Sequence, residues 1–227
     1  MSNSNIEAFI FAAGYGRRLA PITNKTPKPL VKVGGETLIE RIIMQLKLAG
    51  ITDILINVSH LKDQIITKLG SGEKYGVKIE FQIEEGRPKE TAGAIKFAIT
   101  QRHLEINKPI ITINADIFTD YDFSLLKNKP CECGHLILVP NPAHNKAGDF
   151  GIYNNSLVEN SVKYTYSGIG IYNTGFIIEN YTSMKLGQLI RDNIGKKNIS
   201  AELFNGVWHD VGTIERLEKL QKMHQKT

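Results

Sequence analysis

Residues 9–30 read FIFAAGYGRRLAPITNKTPKPL. An apolar run, Phe9 to Ala13, passes straight into the turn Gly14-Tyr15-Gly16, then into Arg17-Arg18 and a Pro27-Lys28-Pro29 clip. In open parallel sheets a ligand sits beyond the C-terminal strand ends, where loops and helix starts offer backbone N–H groups. A buried strand from Ile6 to Ala12 that ends in a glycine turn is therefore the first strand and ligand loop of an α/β fold. The spacing excludes two common nucleotide motifs. Leu19 stands where GxGxxG needs its third glycine, and no GxxxxGK followed by Ser or Thr is present. What remains is a turn whose amides can approach phosphates or a base, with Arg18 and Lys28 as cations for phosphate oxygens. Pro27 and Pro29 fix φ on either side of Lys28 and limit the freedom of the loop. Such a loop suits a nucleoside triphosphate, whose charge has to be neutralised before an anionic nucleophile approaches its phosphorus.

The pattern downstream supports this reading. A loop runs to about Gly35, and Thr37 to Glu40 has the capping-box form. Leu38, Ile39, Ile42, Ile43, Leu46 and Ala49 then recur at helical spacing until Gly50, a stripe that reads as core packing. Asp53 to Val58 reads as a second strand, and the order strand, helix, strand points to a parallel sheet. A helix around Leu61 to Leu69, a strand Val77 to Ile83, a helix Thr91 to Gln101 and a buried strand Pro109 to Asn114 follow. Beyond them His135 to Val139, Gly151 to Tyr153 and Gly168 to Tyr172 read as strands, with Asn154-Asn155 as a hairpin turn. Helices near Met184 to Asn193 and Ile214 to His224 complete the chain. With no repeat or linker, residues 1–227 read as one domain, doubly wound in its first half and β-rich in its second.

The chain has 227 residues, 41% of them hydrophobic, enough to bury a sizeable core. No apolar run approaches the roughly 20 residues of a membrane helix. The first residues, MSNSNIE, lack the basic and apolar regions of a signal peptide, so a cytoplasmic location is expected. Cys131 and Cys133 flank Glu132, poor geometry for a disulfide and too few ligands for structural zinc, and read as reduced thiols. The net charge is +5, yet the 28 lysines and arginines are scattered and form no nucleic-acid stripe. A small anionic substrate fits that excess.

The run AAGYGRRLAPITNKTPKPLVKVGG resembles the signature of the sugar-phosphate nucleotidyltransferases, AAGxGxRxxPxT followed after a short gap by PKPxxxxxG. The resemblance implies a nucleotide-diphospho-sugar transferase fold, α/β with a Rossmann-like mixed, mainly parallel sheet flanked by helices. It also implies an enzyme that joins a nucleoside triphosphate to a sugar 1-phosphate with Mg²⁺. By the same resemblance Arg18, Lys28 and Asp116 are catalytic, with Arg18 on the leaving pyrophosphate and Lys28 on the α-phosphate. Ala12, Ala13, Gly14, Tyr15 and Gly16 join Lys28 in binding the nucleotide, and Thr91 and Gly93 lie in the loop that faces the base. Asn114 contacts nucleotide or sugar phosphate, and Asp149 the sugar phosphate. Asp116 in ITINADIFTD and Asp210 in VWHDVGT, similar to the family's W-x-D-x-G-T, hold the metal. Two hard carboxylates completed by phosphate oxygens and water are what Mg²⁺ prefers.

NADIFTDYDF, LVPNPAHNKAGDF, YSGIGIY and WHDVGTIERL are together similar to the N-acetylmuramate 1-phosphate uridylyltransferases of cell-wall recycling. Alternatives are another sugar, such as heptose or mannose 1-phosphate with GTP, or a noncatalytic nucleotide-sugar sensor. Three positions depart from the family pattern. Tyr15 stands where many relatives carry lysine, Ala20 where many carry arginine, and Ala115 where N-G-D has glycine. Several residues also have plainer readings. Asp149 fits a loop cap beside Gly148, His144 a surface loop, and Asp120 to Asp122 a cap for the next short helix. His209 and Asp210, adjacent in a strand, should point to opposite faces.

Overall fold

The computed structural model describes residues 7–159, 162–182 and 185–224. Ile6 of the expected first strand and Met184 of an expected helix lie outside the described residues. In chain order the elements are β1 (Ala8–Phe11), β2 (Lys32–Val33), β3 (Glu36–Thr37), α1 (Leu38–Leu48), β4 (Asp53–Val58), α2 (Lys62–Leu69), β5 (Lys78–Ile83), α3 (Thr91–Thr100), β6 (Pro109–Asn114) and β7 (Ile117–Thr119). They continue with α4 (Ser124–Lys127), β8 (Gly134–Val139), β9 (Gly151–Tyr153), β10 (Ser156–Val158), β11 (Thr165–Asn173), α5 (Thr174–Glu179), α6 (Leu186–Asn193), β12 (Ile199–Leu203), β13 (Trp208–Asp210) and α7 (Ile214–His224).

A nine-stranded sheet in the order β5-β4-β1-β6-β11-β8-β12-β10-β9 forms the body. β5, β4, β1 and β6 are mutually parallel, and β12 is parallel to β8. β11 runs against β6 and β8, and β10 against β9 and β12, so the expected mixed, mainly parallel sheet is present. From β1 the chain steps outward to β4 and β5 and then returns to place β6 on the other side of β1. That reversal is a topological switch point, the place where open α/β sheets bind ligands. Register levels the strand ends there, with Phe11 beside both Asn57 and Asn114.

Alternation through the central strands fills both faces. Ala8, Ile10, Ile54, Ile56, Ile111 and Ile113 pack under α1 and α2, whereas Phe9, Leu55 and Ile110 pack under α3, α5 and α6. Full burial of such a side chain contributes ~1.5–3 kcal/mol, which explains apolar runs in place of polar alternation. α1 starts at the expected capping box: Thr37 Oγ1 accepts from Glu40 N at 3.3 Å, and Thr37 N donates to Glu40 Oε2 at 3.4 Å. The Asn154-Asn155 turn joins β9 to β10 with both residues at positive φ, 48° and 60°.

Other boundaries moved. The strand expected from Gly168 begins at Thr165, because β11 absorbs an irregularity between Tyr166 and Ile169 that interrupts its apolar pattern. The loop before Gly35 contains three short 3₁₀ turns and the β2–β3 hairpin. A third cluster, with Leu19, Val31, Leu38, Phe118, Val211 and Leu217, pins this segment beneath α7. Cys131 and Cys133 are free thiols, and burial pushes the Cys131 pKa up to about 12.

Two carboxylates tie elements together. Hydrogen bonding from His135 leads the causes that bring Glu202 down to about 2, joined by Lys129 and Tyr121. Burial alone raises Glu40, but hydrogen bonds from Lys68, Thr37 and Tyr75 outweigh it and bring it to about 2. A depressed folded-state pKa stabilises the fold above the unfolded value and ceases to do so as pH falls through the folded one. Urea midpoints measured against pH should therefore decline from about 4.5 toward 2, and Glu202→Gln should make that decline shallower. An unchanged slope in the variant refutes the assignment.

Candidate active site

The loop after β1 is fixed by the protein's own contacts. Ala12 N donates to Asn57 Oδ1 at 2.8 Å inside the protein. Gly16 has φ +64°, and a Cβ there would lie 2.9 Å from Thr23 Cγ2 and 3.2 Å from Lys28 Cβ, so only glycine fits the turn. Gly14, by contrast, has nothing within 4 Å of where its Cβ would be and leaves open space at the cleft. Leu19 is fully buried and anchors the 3₁₀ turn Arg17–Leu19.

Around this loop lies a cleft of about 800 Å³ at the switch point. Ala12, Ala13, Gly14, Tyr15, Gly16, Arg18, Lys28, Thr91, Asn114 and Asp116 all line it, so most of the expected site residues converge. Lys28 forms an ion pair with Asp116, the two side chains 12% and 32% exposed. Arg17 also lines the cleft, its guanidinium 5.2 Å from the centre of the Tyr15 ring. Tyr15 donates to Gly86 O at 3.2 Å and so bridges to the opposite wall.

Asp210 reaches the same region through a second sheet. β13 pairs antiparallel with β7, placing Asp210 beside Ile117, and Val211 N donates to Asp116 O at 2.8 Å. Trp208 Nε1 donates to Ser167 O at 2.9 Å within the β11 irregularity. There Gly168, at φ +81°, lies so close under the Asn114 side chain that a Cβ would collide with it. The Asp210 carboxylate is ion-paired with Arg216, and His144 Nε2 lies 3.1 Å from Asp210 Oδ1. Among the described residues no three His, Cys, Asp or Glu side chains form a metal cluster. Asp116, in the turn between β6 and β7, and Asp210, at the end of β13, are nevertheless hard oxygen donors, and each has drawn a cation to itself. That donor set fits a magnesium ion whose other ligands are phosphate and water.

Two expectations fall elsewhere. Thr91 and Gly93 are in the first turn of α3 and not in a loop, because the helix begins directly after Glu90; Thr91 lines the cleft, whereas Gly93 faces the core. Asp149 is outside the residues that line the cleft. Its Oδ2 accepts from Tyr166 N at 2.9 Å and Asn145 Nδ2 at 3.1 Å, the loop-fastening role. Asp122 Oδ1 accepts from Ser124 N at 2.9 Å and steadies the start of α4, and Asp120 Oδ1 accepts from Val207 N at 2.7 Å. His144 is the exposed loop residue expected, and its ring also approaches Asp210 and Arg216. Burial lowers the His209 pKa.

Several cleft residues had no clear mark in the sequence. Arg87 and Glu90 come from the β5–α3 segment, where polarity without periodicity hides them. Glu90 has φ 59° and ψ 174°, a region costing a non-glycine residue ~1–3 kcal/mol and common at functional sites. Asn57 did leave a signal, an amide inside the apolar run DILINV. It connects Ala12 to Glu84, which is 2% exposed and accepts from Asn57 Nδ2 at 2.9 Å and Lys89 N at 2.7 Å. Both cleft walls thus hang on one buried polar chain.

The sequence profile of the family described as Nucleotidyl transferase matches residues 7–227. An N-acetylmuramate alpha-1-phosphate uridylyltransferase from Neisseria meningitidis serogroup B is 38% identical over 229 residues, covering 96% of this chain and 98% of that protein. A mannose-1-phosphate guanyltransferase from Debaryomyces hansenii is 29% identical over 223 residues, 91% of this chain but 61% of that protein. A Bacillus anthracis structure bearing the name of a glucose-1-phosphate thymidylyltransferase superposes with a TM-score of 0.83 at 21% identity, over 97% of this chain and 96% of that one; it shares the fold.

Replacing Asn57 by Ala leaves the Ala12 N–H without its partner and Glu84 Oε1 with only Gln82 Nε2, at 3.1 Å. The expected cost is ~1–3 kcal/mol of stability, read by urea denaturation, with faster hydrogen exchange at residues 12 and 89. Exchange that stays at the wild-type rate would contradict the linking role.

Proposed function

We propose a specific reaction for a chain that belongs to the nucleotidyl transferase family and is a sugar-phosphate nucleotidyltransferase: transfer of a uridylyl group from UTP to N-acetylmuramate 1-phosphate, with release of pyrophosphate. The observation that carries it is the convergence of Arg18, Lys28 and Asp116 on one cleft at the switch point, with Asp210 brought beside Asp116 by the β7–β13 ribbon. The choice of base and sugar draws on the Neisseria uridylyltransferase, similar along the length of both chains. That choice places the enzyme in peptidoglycan recycling. GTP with mannose 1-phosphate is the second reading, supported by the guanyltransferase similarity.

A sugar 1-phosphate needs no general base, because a phosphate monoester with second pKa ≈ 6 is largely dianionic at neutral pH. The chain's task is alignment and charge neutralisation. Arg18 holds the departing pyrophosphate. Lys28, already at the cleft floor, holds the α-phosphate and draws the incoming oxygen toward its phosphorus. Gly14 leaves the room in which the triphosphate meets the amides of the loop. Asp116 and Asp210 would hold Mg²⁺, which supplies Lewis-acid charge to the phosphates when bound.

Pyrophosphate release is the direct test, crossing UTP, GTP, CTP, ATP and dTTP with N-acetylmuramate, N-acetylglucosamine, glucose, mannose and heptose 1-phosphates. Release confined to UTP with N-acetylmuramate 1-phosphate is expected; another productive pair replaces the substrate assignment, and silence across the panel favours a sugar outside it or a sensor. With the productive pair, Lys28→Ala should lower kcat by roughly 10²–10³. Asp116→Asn should nearly abolish turnover while leaving the melting curve cooperative, and near-normal turnover at saturating Mg²⁺ refutes its role.

A further inference from the structure

The proposed metal role of Asp116 and Asp210 meets an obstacle in the structure itself. Each carboxylate already holds a basic side chain, Lys28 on Asp116 and Arg216 on Asp210. A guanidinium and a metal ion cannot occupy the same carboxylate oxygen. We propose that Arg216 is a stand-in cation on Asp210, released to substrate phosphate when nucleotide and metal enter together.

Arg216 is placed for such an exchange. It lies in the first turn of α7, a helix whose start is held by Leu217 N donating to Thr213 O at 3.0 Å and whose Leu217 and Leu220 are buried. The helix therefore stays fixed and only the side chain has to move. Its guanidinium packs beside Gly212, a cleft residue: a Cβ on Gly212 would run into Arg216 and lie 3.1 Å from Asp210 Oδ2. Through Gly212 the guanidinium borders the cleft, where a phosphate would offer it a new partner. The Arg216 side chain is 20% exposed, so the pair is partly shielded from solvent and salt. His144 Nε2, 2.8 Å from Arg216 Nη1 and 3.1 Å from Asp210 Oδ1, closes the outer side of the pair.

The exchange keeps charge balanced. Without nucleotide, Asp116 and Asp210 are neutralised by Lys28 and Arg216. With nucleotide, the phosphates offer both cations new partners, and the freed carboxylates present a doubly negative site to a divalent ion. Metal and nucleotide should consequently bind with positive coupling, each raising the other's affinity by the same factor. This inference rests on the proposed metal role of the two aspartates, and the test separates the two.

The experiment is calorimetric titration of the full chain with Mn²⁺, with and without a nonhydrolysable UTP analogue, in wild type, Arg216→Gln and Asp210→Asn. A carboxylate held by Arg216 nine-tenths of the time weakens apparent metal affinity about tenfold. Arg216→Gln should therefore bind Mn²⁺ alone about tenfold more tightly than wild type, and the analogue should add less to its affinity. Equal affinity in Arg216→Gln and wild type, with weakened binding in Asp210→Asn, overturns the stand-in role and leaves the metal site intact. Unchanged binding in Asp210→Asn removes both. If Arg216→Gln does not fold, wild type alone still decides: an analogue that leaves Mn²⁺ affinity unchanged overturns the proposal.

Discussion

The parallel pairing of β1 between β4 and β6 is the constraint on which the site depends. Register sets Phe11 level with Asn57 on one side and Asn114 on the other, so three chain segments leave the sheet at one height. The glycine loop continues β1, Asp116 follows β6, and Asn57, next to last in β4, carries the amide that fastens the loop backbone. A one-residue slip would turn Ile10 and Ile113 away from the α1 side of the core and carry the loop with them. Burial of apolar side chains on both faces is thus what holds the polar cleft in place.

Within that frame the cleft is a problem of charge. Arg17, Arg18, Lys28 and Arg87 line it, with Asp116 and Glu90 as its carboxylates. Like charges gathered around an open volume repel one another and favour an anionic occupant. The pair that Asp116 forms with Lys28 relieves part of that repulsion. Tyr15 follows a different logic from the lysine common at its position. It adds no charge, but its hydroxyl bridges to Gly86 across the cleft and its ring lies near the Arg17 guanidinium. Departure from the family pattern here exchanges a cation for a strut.

Legibility in the sequence followed the locality of the signal. β4, β6 and α7 have the boundaries their apolar patterns imply, and α1 begins at its capping box. The loop residues, Asp116 and the neighbourhood of Asp210 were legible because a fixed-spacing motif ties residue type to position. Elements held by partners far along the chain were not. β12 has mixed polarity, and only its place between β8 and β10 makes it a strand. α5 is a single short helix capped by Asn173. Arg87 carries no local mark, and only the β5–α3 segment brings it to the cleft; Arg216 is likewise unmarked until α7 sets it on Asp210 beside Gly212. Asp149 carries two marks: motif resemblance assigned it substrate contact, and its position beside Gly148 a loop role, which its hydrogen bonds to residues 145 and 166 perform.

The insertion of β12 between β8 and β10 and the pairing of β13 with β7 also have a consequence for how the protein is made. Strands β1, β4, β5 and β6 can join one another as they leave the ribosome, since each finds its neighbour already synthesised. The β8 edge has no such luck: the segment that covers it begins at Ile199. Throughout the synthesis of the intervening residues the nascent sheet carries an open edge, a template for pairing with other chains. Asp116 likewise waits for Val211 and Asp210. The cleft with its paired carboxylates is among the last parts of the molecule to be completed, and a ribosome stalled before residue 199 would hold a sheet able to associate with others but unable to assemble the site.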